Sequence, residues 1–247
     1  MNDGWDFYAA RVDDQPASIF VDLGACREAP VDALPWMAYI RLQMNHPRPD
    51  GLSSSEEFDA LASIEEALEK DLCGDALRYV GRNTSNGCRD FYFYTAVPEA
   101  WETQVSRVLS VFDGYRFEAG TREDADWSTY FNVLFPGPLE RQTIANRPVC
   151  DALAQHGDRL VDAREIDHWI GFADPASADA YVQDVAALGF QVRETVRGGA
   201  DGSEVFVRVW RRDVPSNQHI DPVTLALSEA ASRHGGSYDG WECGVVA

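Results

Sequence analysis

The stretch that decides the fold class is residues 54–95, SSEEFDALASIEEALEKDLCGDALRYVGRNTSNGCRDFYFYT. Its first half predicts a helix, because apolar residues recur every three or four positions and so share one helical face. These residues are Phe58, Leu61, Ala62, Ile64, Leu68 and Leu72. Ser54 or Ser55 can cap the helix, and Ser54 has Glu57 at the capping-box spacing. Gly74 stands where a helix C-terminal glycine is expected.

Around this helix the sequence predicts a β-α-β-β-α-β order. Its elements are strand Trp36–Met44, the helix just described, strands Leu77–Arg82 and Arg89–Thr95, a helix at about Glu99–Phe112 and strand Tyr115–Gly120. The two middle strands form a hairpin around residues 83–87, where Asn86-Gly87 can supply positive φ. Two further strands, Trp5–Val12 and Ala17–Leu23, precede the unit. The order is that of a ferredoxin-like fold, with an antiparallel sheet and both helices on one face.

The second half of the chain repeats this order after one additional helix. Its elements are helix Arg147–His156, strand Arg164–Phe172, helix Pro175–Leu188, a hairpin of Phe190–Val196 and Glu204–Arg211 around residues 197–202, helix His219–His234 and strand Tyr238–Val246. We place the boundary within residues 136–147, where prolines interrupt the pattern, and predict domains 1–141 and 142–247. The predicted class is α+β, with two tandem ferredoxin-like α/β sandwich domains and antiparallel sheets.

The charge balance is strongly acidic. Lys and Arg total 21 against 41 Asp and Glu, which gives a formal net charge of −20 for the 247 residues. Such a field repels nucleic acid unless a local basic patch overcomes it, so direct nucleic-acid binding is not expected. A basic protein surface is a more natural partner, although solvation alone also explains many acidic surfaces.

Cysteine usage and the absence of targeting signals predict a reduced, cytoplasmic protein. The five Cys residues are scattered and form no Cys-x-x-Cys pair, which argues against a disulfide framework and a Cys-rich zinc site. The first thirty residues lack the charged and apolar regions of a signal peptide. No apolar run approaches the roughly 20 residues that cross a bilayer.

The sequence predicts no catalytic residue, metal site or cofactor. The obvious candidate base, His168, lies on a predicted strand with Ile166 and Ile170, where a core histidine is the commoner outcome. Asp167 points to the opposite face, so the two do not form a dyad. The five His residues show no H-E-x-x-H spacing, and no phosphate-binding or nucleophile-elbow motif is present.

One candidate binding surface lies on the strand Glu204–Arg211. Alternation places Phe206, Arg208 and Trp210 on one face and the intervening valines on the other. If the valines face the helices, an arginine flanked by two aromatic residues is left on the open sheet face. RNA-binding modules of this topology stack bases on such residues. The alternative, favoured by the net charge, is that the aromatic rings bury against the other domain or a partner protein.

The second candidate surface is the closing string Tyr238-Asp239-Gly240-Trp241-Glu242. Tyr and Trp are frequent at protein interfaces because they bury a large area at low entropic cost. The alternative is that Tyr238 and Trp241 complete the core. Since they are three residues apart, that outcome requires a bulge near Gly240 to bring them to one face.

The second half resembles the RraB family, whose members regulate ribonuclease E activity. The resemblance covers about residues 145–247 and rests on Asp158-Arg159-Leu160, REIDHWIGF at 164–172, Leu188-Gly189-Phe190 and GGSYDGWE at 235–242. The first half is similar to domain-of-unknown-function family 695. The residues that carry this second likeness are Trp5, Tyr79–Arg82, Gly87–Tyr94, Asp126, Trp127 and Tyr130.

The RraB resemblance implies a non-catalytic regulator that binds and inhibits an endoribonuclease of the ribonuclease E type by protein–protein contact. It supplies no set of contact residues. The alternative is an RNA- or small-ligand-binding tandem module that uses the open sheet faces. The oligomeric state and the role of the first domain stay open.

Overall fold

The structure is a computed structural model and describes residues 4–198 and 204–246. The chain divides into two compact units, Met1–Pro136 and Gly137–Ala247. Both units combine helices with an antiparallel sheet, which confirms the predicted α+β class. The predicted loop at residues 197–202 falls mostly outside the described residues.

The first unit contains a six-stranded sheet in the order β1-β2-β4-β5-β3-β6. Its elements are β1 (Trp5–Val12), β2 (Gln15–Asp22), β3 (Trp36–Gln43), α1 (Phe58–Leu72), β4 (Leu77–Ser85), β5 (Cys88–Thr95), α2 (Trp101–Leu109) and β6 (Arg116–Glu123). Both helices pack on one face of the sheet, where Ile40, Leu61, Phe93 and Trp101 belong to a single core. Every pair of neighbouring strands is antiparallel.

The other face of this sheet is partly covered by the segment that follows β6. Trp127 stacks on Tyr94 with ring centroids 3.9 Å apart. The hydroxyl of Tyr130, in a π-helical turn at Tyr130–Leu134, donates to the carbonyl of Asp22 over 2.8 Å. The aromatic residues of this segment therefore form a second core layer.

The buried carboxylate of Asp124 anchors this covering segment. It accepts hydrogen bonds from the Tyr94 hydroxyl at 2.7 Å and from the backbone amides of Ser128 and Thr129 at 2.8 and 2.9 Å. Burial raises the pKa of Asp124, but these hydrogen bonds outweigh it and hold the pKa well below its usual range.

The second unit has a four-stranded sheet in the order β10-β7-β9-β8. Its elements are α3 (Pro138–Gln155), β7 (Arg164–Phe172), α4 (Pro175–Ala187), β8 (Gln191–Gly198), β9 (Glu204–Asp213), α5 (Asn217–Arg233) and β10 (Ser237–Cys243). The core between the sheet and α4 and α5 contains Ile170, Tyr181, Val207 and Leu227. Helix α3 packs beside it, where Cys150 and Leu153 meet Trp241.

Two predicted helix beginnings were wrong. Helix α3 begins at Pro138 rather than Arg147, because proline is well accommodated in the first helical turn. The only buried residues of this helix are Asn146, Cys150 and Leu153, so few apolar positions mark it in the sequence. Helix α1 has no Ser54 capping box. The Glu57 carboxylate accepts instead from the backbone amides of Asn45 and His46, each at 2.8 Å.

Candidate functional site

The sheet of the second unit packs against α4 and α5 on one face, whereas no helix of this unit packs on the other face within its described residues, 137–198 and 204–246. On β9, Val205, Val207 and Val209 are at most 2% exposed and belong to the core beneath α4 and α5. Phe206 and Trp210 therefore point the other way. We call this surface the open face; its side chains are Glu165, Asp167, Trp169, Arg193, Glu194, Val196, Phe206, Arg208, Trp210 and Glu242.

Arg208 lies at the centre of the open face, where its terminal nitrogens contact carboxylates and its buried Nε atom has no hydrogen-bond partner among the described residues. Its guanidinium lies over the Trp169 ring, 4.7 Å from the centroid. Nitrogen atoms of the same group are 3.0 Å from Asp167, 3.3 Å from Glu194 and 3.1 Å from Glu242. Hydrogen bonding to Asp167 raises the pKa of Arg208 above its ordinary value. The arginine that the sequence placed between two aromatics is therefore neutralised by three carboxylates.

Arg193 repeats this arrangement on the neighbouring strand. Its guanidinium lies 4.8 Å from the centroid of Trp210 and contacts Glu165 at 2.8 Å and Asp167 at 2.7 Å. A bulge between Val192 and Glu194 interrupts the register of β8 there. Asp167 thus bridges both arginines. We call Glu165, Asp167, Arg193, Glu194, Arg208 and Glu242 the charge network.

The open face has an apolar end beside this network. Phe206 is 40% exposed, and Val196, directly opposite it on β8, is 47% exposed. The Phe206 ring lies against Gly198 on β8, where an added Cβ atom would come within 2.9 Å of it. A partner that covers the face would therefore meet exposed aromatic and aliphatic groups at one end and carboxylates at the other.

The closing string divides between the core and the open face. A register shift between Tyr238 and Gly240 supplies the required bulge, so Tyr238 pairs with Ile170 and Trp241 with His168 on the helix-packed side. Trp241 is 7% exposed and donates from Nε1 to the Asn146 Oδ1 atom at 2.8 Å. Asp239 is exposed at the bulge, whereas Glu242 joins the charge network.

His168 is a core residue, as its position on the strand predicted. The ring is fully buried, and its Nδ1 atom shares a hydrogen bond of 2.9 Å with the Tyr238 hydroxyl. Burial lowers the pKa of His168 to about 4. Asp167 lies on the opposite face and hydrogen-bonds with the two arginines, so the adjacent pair does not form a dyad.

Comparison with known families supports the assignment of both halves. The family model described as a family of unknown function (DUF695) matches residues 3–135, which is more than half of the chain. The chain belongs to the DUF695 family. A second family model, regulator of ribonuclease activity B (RraB), matches residues 143–243 of this DUF695 protein. The two predicted resemblances are thereby confirmed.

Other comparisons of the DUF695 protein are distant. No curated protein sequence matches the chain. An unknown protein of known structure from Galdieria sulphuraria is 12% identical, with 85% of this chain and 99% of that chain covered and a TM-score of 0.23. Protein BT0572 from Bacteroides thetaiotaomicron is 9% identical, with 84% and 93% covered and a TM-score of 0.18. TM-scores this low do not bear on fold or function.

Sequence reasoning missed six of the ten side chains on the open face of the DUF695 protein. Trp169, Arg193 and Glu194 were not candidates, although they surround Arg208. The available signal was the alternation of β7, which puts Glu165, Asp167 and Trp169 on one face, combined with the pairing of β7 and β9.

The described residues of the DUF695 protein contain neither a cluster of metal ligands nor a membrane-spanning helix. Within the described residues, no group of three or more His, Cys, Asp or Glu side chains is placed to hold a metal ion. Across the same residues, no helix has the length and apolar character needed to span a membrane.

Proposed function

We propose that this protein is a non-catalytic regulator that binds and restrains an endoribonuclease of the ribonuclease E type through its second unit. The observation that carries the proposal is the match of the RraB family over residues 143–243, the portion that forms this unit. The open face supports it, because exposed aromatic and charged side chains lie together there, as they do at protein interfaces. Such a partner places the protein in the cytoplasm, where RNA is processed.

We further propose that each unit is a separate domain with a ferredoxin-like core. In the second unit the order β10-β7-β9-β8 puts the first strand of the β-α-β-β-α-β unit between its third and fourth strands. The order β4-β5-β3-β6 in the first unit follows the same rule, with β1 and β2 added beside β4. Both cores place their two helices on one face of the sheet.

The alternative of direct RNA binding has weaker support. A base could stack on Trp169 or Trp210 only after displacing the arginine that already covers the ring. Phosphate groups would then meet the carboxylates of Glu165 and Glu242, within a chain of net charge −20. Protein contact requires neither displacement of the arginines nor close approach of phosphates.

The proposal is tested by affinity capture with the full-length tagged chain from lysate of its own organism, with and without nuclease treatment. Recovery of ribonuclease E after nuclease treatment is the expected result. Purified ribonuclease E should then cleave a fluorescent RNA more slowly as the protein is added. Recovery of RNA alone, or unchanged cleavage at saturating protein, would refute the proposal.

A matched pair of variants locates the contact. Phe206→Ser removes a 40% exposed ring from the open face, and Leu188→Ser removes a 44% exposed side chain elsewhere in the same unit. Loss of capture and inhibition with Phe206→Ser alone supports contact through the open face. Equal effects of the two variants would place the contact elsewhere.

A further inference from the structure

The open face has the chemistry of a guanidinium-binding surface. We infer that it docks an arginine-bearing segment of the partner protein, whose guanidinium groups lie against the part of Trp169 and Trp210 that Arg208 and Arg193 leave exposed and are held by the surrounding carboxylates. The inference rests on the proposed function and adds the chemical identity of what the partner presents.

The first argument is that the face already holds two guanidinium groups in this geometry. Each tryptophan has an arginine within 4.8 Å of its ring centroid, and each of those arginines contacts at least two carboxylates. A planar cation over an indole, with carboxylates at its edge, is the arrangement that favours arginine over lysine. The chain's own Arg193 and Arg208 therefore show which group fits.

The second argument is the surplus of negative charge. The charge network contains four carboxylates and two arginines, so two negative charges are not compensated within it. Glu165, Glu194 and Glu242 are 49, 44 and 61% exposed at their side chains. Because a carboxylate can accept several hydrogen bonds, each still has accepting capacity toward solvent.

Charge complementarity also decides between possible occupants. A nucleic acid would bring phosphates against the surplus carboxylates. A second copy of this surface would oppose like charges and is disfavoured on the same grounds. A wholly apolar partner would cover Phe206 and Val196 but leave the exposed carboxylates without hydrogen-bond partners. A segment with arginine side chains satisfies the carboxylates and uses the remaining tryptophan surface.

The inference is tested with two dye-labelled peptides, nine arginines and nine lysines, titrated with the full-length chain and followed by fluorescence anisotropy at low salt. The arginine peptide is expected to bind about fivefold more tightly, the ratio that about 1 kcal/mol of cation–π and bidentate contact produces. This preference should disappear in the double variant Trp169→Leu/Trp210→Leu. A preference that survives this change, or no preference in the unchanged chain, would overturn the inference.

A matched pair of charge variants separates this surface from the general acidity of the chain. The triple variant Glu165→Gln/Glu194→Gln/Glu242→Gln is expected to bind the arginine peptide about tenfold more weakly, since each exposed charge contributes a few tenths of a kcal/mol or more. The control triple variant Asp151→Asn/Asp179→Asn/Glu229→Gln removes the same charge from exposed positions on α3, α4 and α5. It is expected to lose less than about threefold. Equal losses would refute the inference.

Parallel measurements with ribonuclease E and with RNA keep the two proposals distinguishable. If ribonuclease E binds and the triple Glu→Gln variant binds it equally well, the surface assignment is wrong and the proposed function stands. If the peptide results hold but ribonuclease E does not bind, the proposed partner is wrong. A labelled ten-nucleotide RNA that binds the unchanged chain but not the tryptophan double variant would overturn the arginine-segment inference. Thermal unfolding of every variant by circular dichroism confirms that the fold persists.

Discussion

Replacement of the buried His168 should change how the second unit responds to acid. The ring is fully buried, its Nδ1 atom is bonded to the Tyr238 hydroxyl, and the edge of Phe190 packs against it. Its Nε2 atom has no hydrogen-bond partner among the described residues. Burial lowers the pKa of His168 from 6.5 to about 4, and the nearby charges of Asp213 and Arg211 act in opposite directions. The folded unit thus holds a neutral imidazole.

The size of the effect follows from the two pKa values. Between pH 6.5 and about 4 the unfolded chain binds a proton at His168 that the folded chain does not bind. The free energy of unfolding therefore falls as the pH falls through this window. The stability that comes from the neutral, buried His168 is fully present only above pH 6.5. The two pKa values differ by roughly 2.5, which corresponds to about 3 kcal/mol of unfolding free energy. This is a large part of the free energy of unfolding of a typical domain, which is roughly 5–15 kcal/mol.

The assay is urea unfolding of the full chain and of His168→Gln at several pH values from 7 to 4. Glutamine cannot titrate but can still pair with the Tyr238 hydroxyl. The variant is expected to be less stable at pH 7, and its disadvantage should shrink by about 3 kcal/mol as pH falls to 4. Carboxylates that also respond to acid, such as Asp124 and Asp158, are present in both proteins and cancel in the difference.

A histidine removed from the surface provides the control. His156 is exposed immediately after α3, and His156→Gln changes the number of histidines without touching the core. A constant difference in unfolding free energy between the full chain and His168→Gln from pH 7 to 4 would refute the reasoning. The reasoning would also be refuted if the unfolding free energy of His156→Gln, relative to the full chain, changed with pH as much as that of His168→Gln.

Three further substitutions should lower stability for separate reasons. Trp241→Phe leaves the buried Asn146 acceptor without its donor and should cost about 1–3 kcal/mol in urea unfolding of the second unit. Gly236→Ala would place a Cβ atom on the Phe172 ring and should cost about 1–3 kcal/mol, measurable as a lower Tm. Asp124→Asn removes a charged acceptor of four hydrogen bonds in the first unit and should cost about 2–3 kcal/mol in urea unfolding.

Each of these substitutions has a control or a result that would contradict it. Gly74→Ala adds a methyl group where no atom lies within 4 Å, so it should be tolerated; a Tm loss equal to that of Gly236→Ala would contradict the steric explanation. Asp126→Asn changes an exposed carboxylate two residues from Asp124 and should leave stability nearly unchanged. Unchanged stability of Trp241→Phe would mean that the bond to Asn146 contributes nothing net.

Local signals were sufficient to predict the order of the elements. The β-α-β-β-α-β sequence of strands and helices is present in both units. Asn86 and Gly87 adopt positive φ values of 48° and 76°. Strand β4 ends at Ser85 and β5 begins at Cys88, so these two residues alone form the turn. The predicted beginning of α3 was too late because the helix buries a polar residue, Asn146, just before it. An apolar pattern does not indicate a buried polar position.

The sequence predicted only the part of the candidate site that lies on one strand. Alternation along β9 correctly separated Phe206, Arg208 and Trp210 from the buried valines. What surrounds Arg208 depends on the strand order, which places Trp169 of β7 directly opposite it. A single strand contains no information about its neighbours, so an arginine that looked available for a ligand proved to be paired already.

Bulges had the largest influence on which residues face a partner. One extra residue near Asp239 turns Trp241 into the core and leaves Glu242 on the open face, so an interface prediction from the closing string mixed core and surface residues. The irregularity at Arg193 in β8 similarly accompanies a second guanidinium on the open face. Both bulges add charge to the face that carries Trp169 and Trp210. A test of partner binding should therefore vary Glu242 and leave Trp241, whose loss would weaken the fold and imitate a loss of contact.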